Sequence, residues 1–132
     1  MSLDSIRPGL QGEMTEQVTE SVSARHIGSG DLRVYATPAM VALIERASVA
    51  LLAPYLPEGQ STVGMGLQLR HLAPTPLGKQ VTARVRVEAV EGNTISLAAE
   101  VWDDVEKVGQ AEHQRAIIDV ARFLRRVEAK RG

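Results

Sequence analysis

Between Tyr35 and Leu56, apolar residues recur at helical spacing. Met40, Leu43, Ile44, Ala47 and Leu51 form one stripe. Val41, Ala42, Val49 and Leu52 make the opposite side apolar as well. A helix apolar nearly all round is a buried helix. Thr37 is a suitable N-cap, Pro38 suits the first turn and Pro54 stops the run. The pattern predicts roughly sixteen helical residues, or about 24 Å of helix. A sheet on one side and a second cover on the other are expected. Glu45 stands in the second apolar face, where a carboxylate needs a reason.

After Pro57-Glu58-Gly59 the period changes from helical to alternating. Thr62 to His71 sets Met65, Leu67, Leu69 and His71 on one side of a strand, provided no bulge intervenes. A loop with Pro74 and Pro76 follows. Gln80 to Val90 alternates with Val81, Ala83, Val85, Val87 and Ala89 inward. Glu91-Gly92-Asn93 is a hairpin turn, and Ile95, Leu97, Ala99 and Val101 alternate after it. Gly109 to Phe123 reads as a last long strand carrying His113, Arg115, Ile117 and Ile118.

Ahead of the helix, Glu16 to Ala24 holds Val18 and Val22 among polar residues and reads as an edge strand. The first 13 to 15 residues have Pro8, Gly9, Gly12 and no period, the pattern of a mobile lead-in. His26 to Arg33 is a Gly-rich loop. Residues 125–132 form a basic tail, a solvated end or short helix. One strand, one long helix and four antiparallel strands make an α+β layer arrangement, with the sheet against the helix.

Composition narrows the function classes. The 132 residues suit one domain over 1–132. Fifteen basic and sixteen acidic residues give a net charge of −1, which argues against a nucleic-acid partner. Without cysteine there is no disulfide framework, thiol nucleophile or cysteine metal site, as suits a cytoplasmic protein. No signal peptide or membrane-crossing apolar run is expected. The aromatic residues are Tyr35, Tyr55, Trp102 and Phe123, too few for a bank of stacking platforms.

Three polar residues stand out against this background. Thr37 opens the helix, Glu45 lies two turns on, and His71 ends the first long strand. A hydroxyl, a carboxylate and an imidazole are the parts of a nucleophile, base and orienter set. Each also has a plain structural role: an N-cap for Thr37, a helix-surface pair with Arg46 for Glu45, a backbone-bonded strand end for His71. Among Val41, Val49 and Leu52, burial would raise the Glu45 pKa unless His71 paired with it. His26, His71 and His113 do not have ligand spacing, so no metal is expected.

Two stretches carry a resemblance. ATPAMVALIERA combines Thr37, Pro38 and Met40 with Glu45. TVGMGLQLRHLAPTPLGKQV combines Thr62, Val63 and Gly64 with a His-Leu-Ala-Pro-Thr-Pro-x-Gly loop from His71 to Gly78. With VGQAEHQR near His113 and Arg115, the chain over about residues 14–124 resembles the hot-dog-fold thioesterases, and among them the fluoroacetyl-CoA thioesterase-like family. The resemblance implies a hot-dog fold, an antiparallel β-sheet wrapped around one long central α-helix. It also implies a homodimer with active sites at or near the subunit interface, which would cover the second helix face. It makes Thr37, Glu45 and His71 the catalytic set and puts the Gly64 backbone N–H near the developing oxyanion. Val63, Met40, His113 and Arg115 join Gly64 as substrate-binding positions. No cofactor is implied beyond the CoA thioester itself.

The expected activity is hydrolysis of a small or short-chain acyl-CoA to the free acid and CoA. A hot-dog module that holds acyl-CoA without turning it over is the alternative. The Asp-to-His pair five residues apart that opens the helix of hot-dog hydratases is absent. The lid before the catalytic Thr carries a phenylalanine in the fluoroacetyl-specific enzyme. Here that region reads IGSGDLRVYAT, which points to a different acyl group.

Overall fold

The computed structural model describes residues 2–132. Five antiparallel strands form one sheet: β1 (Gln11–Gln17), β2 (Gln60–His71), β3 (Gln80–Glu91), β4 (Thr94–Trp102) and β5 (Lys107–Asp119). Their order across the sheet is β1-β3-β4-β5-β2. The short α1 (Ala24–Ile27) precedes the long α2 (Thr37–Leu52), and α3 (Val120–Ala129) follows β5. The sheet packs on α2, whose Met40, Leu43, Ile44 and Leu52 are fully buried. Val81, Val85, Val87, Ile95, Leu97 and Val101 meet them from the inward face, as the alternation predicts as far as Val87. A bulge between Val87 and Ala89 then pairs Ala89 with Ser96 and takes it off the inward face expected for it.

Several features differ from the sequence expectation. The edge strand lies at 11–17, beginning inside the stretch expected to be a lead-in and ending where the strand was expected to start, and pairs with β3. Its inward positions are Gly12, Met14 and Glu16, so the apolar alternation that marks a strand is missing. Gly12 lets α2 come close: a Cβ there would sit 3.2 Å from Leu51 Cδ1, a tight contact that the Leu51 side chain would have to ease. Residues 20–27 instead form a 3-10 turn and α1, where the Ser23 hydroxyl accepts from the His26 N–H.

In β2 a bulge does intervene, between Gly64 and Gly66. It takes Met65 out of phase, 58% exposed, while Leu67, Leu69 and His71 stay on the α2 side. β5 ends at Asp119, short of Phe123. The Asp119 carboxylate caps α3 by accepting from the Arg122 N–H. Finally, helical turns continue past Pro54 to Tyr55, and the run Thr37–Tyr55 is long and apolar enough by length and composition to cross a membrane. The sheet covers its inner residues, which is the place of a core helix.

The outer face of α2 is open in the single chain. Val49 is exposed, and Ala42, Glu45, Arg46, Val49 and Ala50 line a shallow depression with Arg115. Leu52 turns inward and belongs to the core.

Candidate active site

α2 begins at Thr37 itself, with Ala36 at the N-cap position and no side-chain cap bond. The Thr37 hydroxyl is therefore free of the capping role that its position suggests. It meets His71 instead, with Thr37 Oγ1 and His71 Nδ1 2.8 Å apart. The helix start and the end of β2 are brought together by the packing of α2 on the sheet. Burial lowers the His71 pKa, opposed in part by the Ala73 backbone, so the ring is neutral at pH 7. His71 Nε2 is buried with no hydrogen-bond partner. Leu72, Ala73, Pro74, Val34 and Ser29 surround the pair in a cleft of about 390 Å³.

Glu45 lies elsewhere. Eight helical residues separate it from Thr37, about 12 Å of rise, so one chain does not join the three expected catalytic groups. Its side chain is 44% exposed, and the nearest cation is Arg115, with Nη1 3.5 Å from Glu45 Oε2. The uncompensated burial foreseen from the apolar face is not found, and Arg46 pairs with Glu16 at 3.0 Å rather than with Glu45. Gly64 faces Glu45 directly: a Cβ at Gly64 would sit 2.8 Å from Glu45 Oε2. Only glycine leaves room for the carboxylate there.

Behind Glu45, Arg115 is held rigidly. Its Nε donates to Thr62 Oγ1 at 3.0 Å and its Nη2 to the Thr62 carbonyl at 3.1 Å. Its Nη1 also reaches His113 Nε2 at 3.1 Å. A guanidinium only donates, so Nε2 is unprotonated. His113 Nδ1 then carries the proton and gives it to the Gly66 carbonyl at 2.8 Å. His113 thus ties the β2 bulge to Arg115 and aims Arg115 at Glu45. Burial, the main cause, lowers the His113 pKa, and the charge of Arg115 adds to it.

The remaining candidates divide. Val63 pairs with Ala116 on the side of the sheet away from α2 and is half-buried. Met40 is fully buried, its sulfur packed on Gly109, and His113 is 1% exposed with both nitrogens engaged. Neither presents an atom to a ligand, because the helix and sheet close over both. Two participants are not evident from spacing. Thr62 anchors Arg115 from within the Thr-Val-Gly step. Tyr35 sets its ring edge-on to His71, with centroids 6.4 Å apart, and donates its hydroxyl to Glu16 Oε2 at 2.6 Å. Among the described residues, no group of three or more His, Asp or Glu is arranged to hold a metal ion.

Two stability effects follow from this geometry. His113→Leu leaves the Gly66 carbonyl and an Arg115 N–H unpaired in the interior, and is expected to lower stability by about 1–3 kcal/mol in urea unfolding. Both lowered histidines start from an unfolded value of 6.5. Their contribution is complete above that pH and declines as the pH falls through the folded values. Melting curves should therefore shift down between neutral and mildly acidic buffer, less so in His113→Leu.

Comparison with known proteins agrees with this architecture. The sequence model of the fluoroacetyl-CoA-specific thioesterase (FlK) family matches residues 18–121. The fluoroacetyl-CoA thioesterase of Streptantibioticus cattleyicolor is 37% identical over 97 residues, 74% of this chain and 70% of that protein. The crystal structure of a point mutant of the fluoroacetyl-CoA-specific thioesterase superposes with a TM-score of 0.89 at 32% identity, over 96% of this chain and 98% of the other. A hot-dog-like protein from Thermanaerovibrio acidaminovorans gives 0.89 at 28% identity, over 95% and 93%. The fold is therefore the hot-dog fold, with the curled sheet around α2, and the chain belongs to the fluoroacetyl-CoA-specific thioesterase family.

Proposed function

We propose that this protein hydrolyses the thioester of a small acyl-CoA to the free acid and CoA. The observation that carries the reading is the 2.8 Å contact between the Thr37 hydroxyl and a neutral His71. A neutral imidazole accepts the hydroxyl proton as oxygen attacks the thioester carbon. The carbonyl oxygen becomes an oxyanion, the C–S bond breaks, and the leaving thiolate takes the proton from His71, which leaves the acyl group as an ester on Thr37. Water, giving its proton to the same neutral His71, then attacks that ester, and the ester bond breaks to release the free acid as Thr37 takes the proton back. With Nδ1 accepting from Thr37, the proton of the ring sits on Nε2, the atom without a partner. A carboxylate there would hold the ring in this tautomer.

That carboxylate is Glu45 of a second copy. β2 is an edge strand twelve residues long with open backbone groups and an exposed Met65. Such an edge is a template for pairing with another strand. Antiparallel pairing of two β2 strands about a two-fold axis near their middle sets His71 of each beside the Gln60–Gly64 half of the other. The same pairing covers the open face of α2. Thr37 and His71 of one protomer then work with the partner subunit's Glu45, Gly64 and Arg115. Light scattering is expected to give twice the 14.3 kDa chain mass; a stable monomer at micromolar concentration that still turns over substrate refutes the shared site.

The region from Ile27 to Thr37 has no phenylalanine and its one aromatic residue, Tyr35, is buried, so a phenylalanine lid does not select the acyl group. Leu72 lines the cleft, is exposed and suits an apolar acyl chain. A panel of acyl-CoAs with a thiol reagent tests the reading: CoA release from short acyl chains is expected. Binding without release from every member would identify a holding module instead. Gly64→Ala is expected to cut turnover in this assay while the protein stays folded, since the new methyl displaces the Glu45 carboxylate.

A further inference from the structure

At the opposite end of β2 from His71, α3 stands off the sheet and leaves a cavity of about 600 Å³. Arg122 and Arg126 line it from successive turns of α3. Like charges four residues apart on a helix repel. Neither arginine has an ion-pair partner among the described residues, and Asp119, also at the cavity, spends one oxygen on the helix cap. Phe123 shares the cavity and is partly exposed. Gln60 lines its floor, with a buried Oε1 that has no hydrogen-bond partner. Two unneutralised guanidiniums, an open ring and an unfilled amide acceptor together describe a receptor for a phosphorylated, ring-bearing ligand with N–H groups.

The cavity is also placed along the substrate's path. Gln60 lies four residues before Gly64 on the same side of β2, about 13 Å away along the strand. That separation is of the order of the pantetheine arm of CoA. Arg122, Phe123 and Arg126 lie beyond residue 121, where the family match ends.

We propose that this cavity seats the nucleotide end of CoA. Arg122 and Arg126 hold its phosphates, Phe123 lies against the adenine, and Gln60 accepts an amide N–H of the pantetheine arm. The inference rests on the acyl-CoA reading above and adds to it a handle for the part of the substrate that does not react. Binding energy gathered there favours acyl-CoA over thioesters that lack the nucleotide.

Calorimetric titration of CoA into the parent, the R122A/R126A double variant and R125A tests the cavity without turnover. Arg125 is on the same helix and does not line the cavity. The double variant is expected to bind CoA at least about tenfold more weakly, and R125A within about twofold of the parent. Turnover of acyl-pantetheine, which lacks the nucleotide, should be equal in the parent and the double variant. Unchanged CoA affinity in the double variant overturns the proposal, as does an equal loss in R125A, which would reflect bulk charge. A parent that turns over neither thioester removes the hydrolase reading, and the CoA titration still decides the cavity.

Discussion

His71→Ala is expected to lower thioester turnover by about 10²–10⁴-fold while the fold is retained. The side chain ends β2 at the rim of a cleft, and its side-chain partner is Thr37 Oγ1. Removing it leaves the hydroxyl without a base and costs little packing. The parent profile should carry the same signature. The reactive form is the neutral ring, whose pKa lies below 6.5 because of burial. Turnover is therefore full at pH 7 and falls as the pH drops through that lowered value, and the acid limb disappears from the residual activity of His71→Ala. Activity within a fewfold of the parent would make His71 a strand-end residue and nothing more.

Glu45→Gln is expected to abolish most turnover with almost no change in stability. The carboxylate is half exposed and its contact with Arg115 is long, so the pair contributes about 0–1 kcal/mol at most. Arg115 keeps its bonds to Thr62 and His113 when the charge is removed. The decisive measurement combines two inactive chains. If each site takes His71 from one protomer and Glu45 from the other, a mixed dimer of His71→Ala and Glu45→Gln chains has one intact site and one doubly damaged site. Random mixing should then restore about a quarter of parental turnover. No recovery on mixing, with mixed dimers verified by mass, would place all catalytic groups within one chain. Destabilisation by Glu45→Gln with unchanged turnover would make Glu45 a structural partner of Arg115.

Much of the fold was legible because periodicity reports burial. The sixteen-residue helix and the alternation of β3 and β4 follow directly from which residues must face the core. β1 was hidden because its inward positions include a glycine that admits Leu51 and a glutamate that serves Tyr35 and Arg46. Local pattern carries no trace of such distant partners. The β2 bulge was hidden for a related reason: its glycines signal backbone freedom without saying where the register shifts. At the site, residue types pointed to Thr37, Glu45 and His71. The spacing of Thr37 and Glu45 already held the fact that they cannot meet in one chain, since it fixes how far apart a helix must keep them. The link from His113 through Arg115 to Glu45 joins β5 to α2 and exists only once the sheet is folded.

If each site is shared between two protomers as proposed, the same length of helix makes turnover a two-body property. A chain carrying half of each site would then contribute nothing while alone, so specific activity should depend on protein concentration as well as on substrate. Dilution below the dimer dissociation constant should make the rate rise with the square of total protein instead of in proportion to it. Synthesis level would then act as a threshold: scarce chains would leave acyl-CoA untouched, and hydrolysis would switch on steeply as copies accumulate.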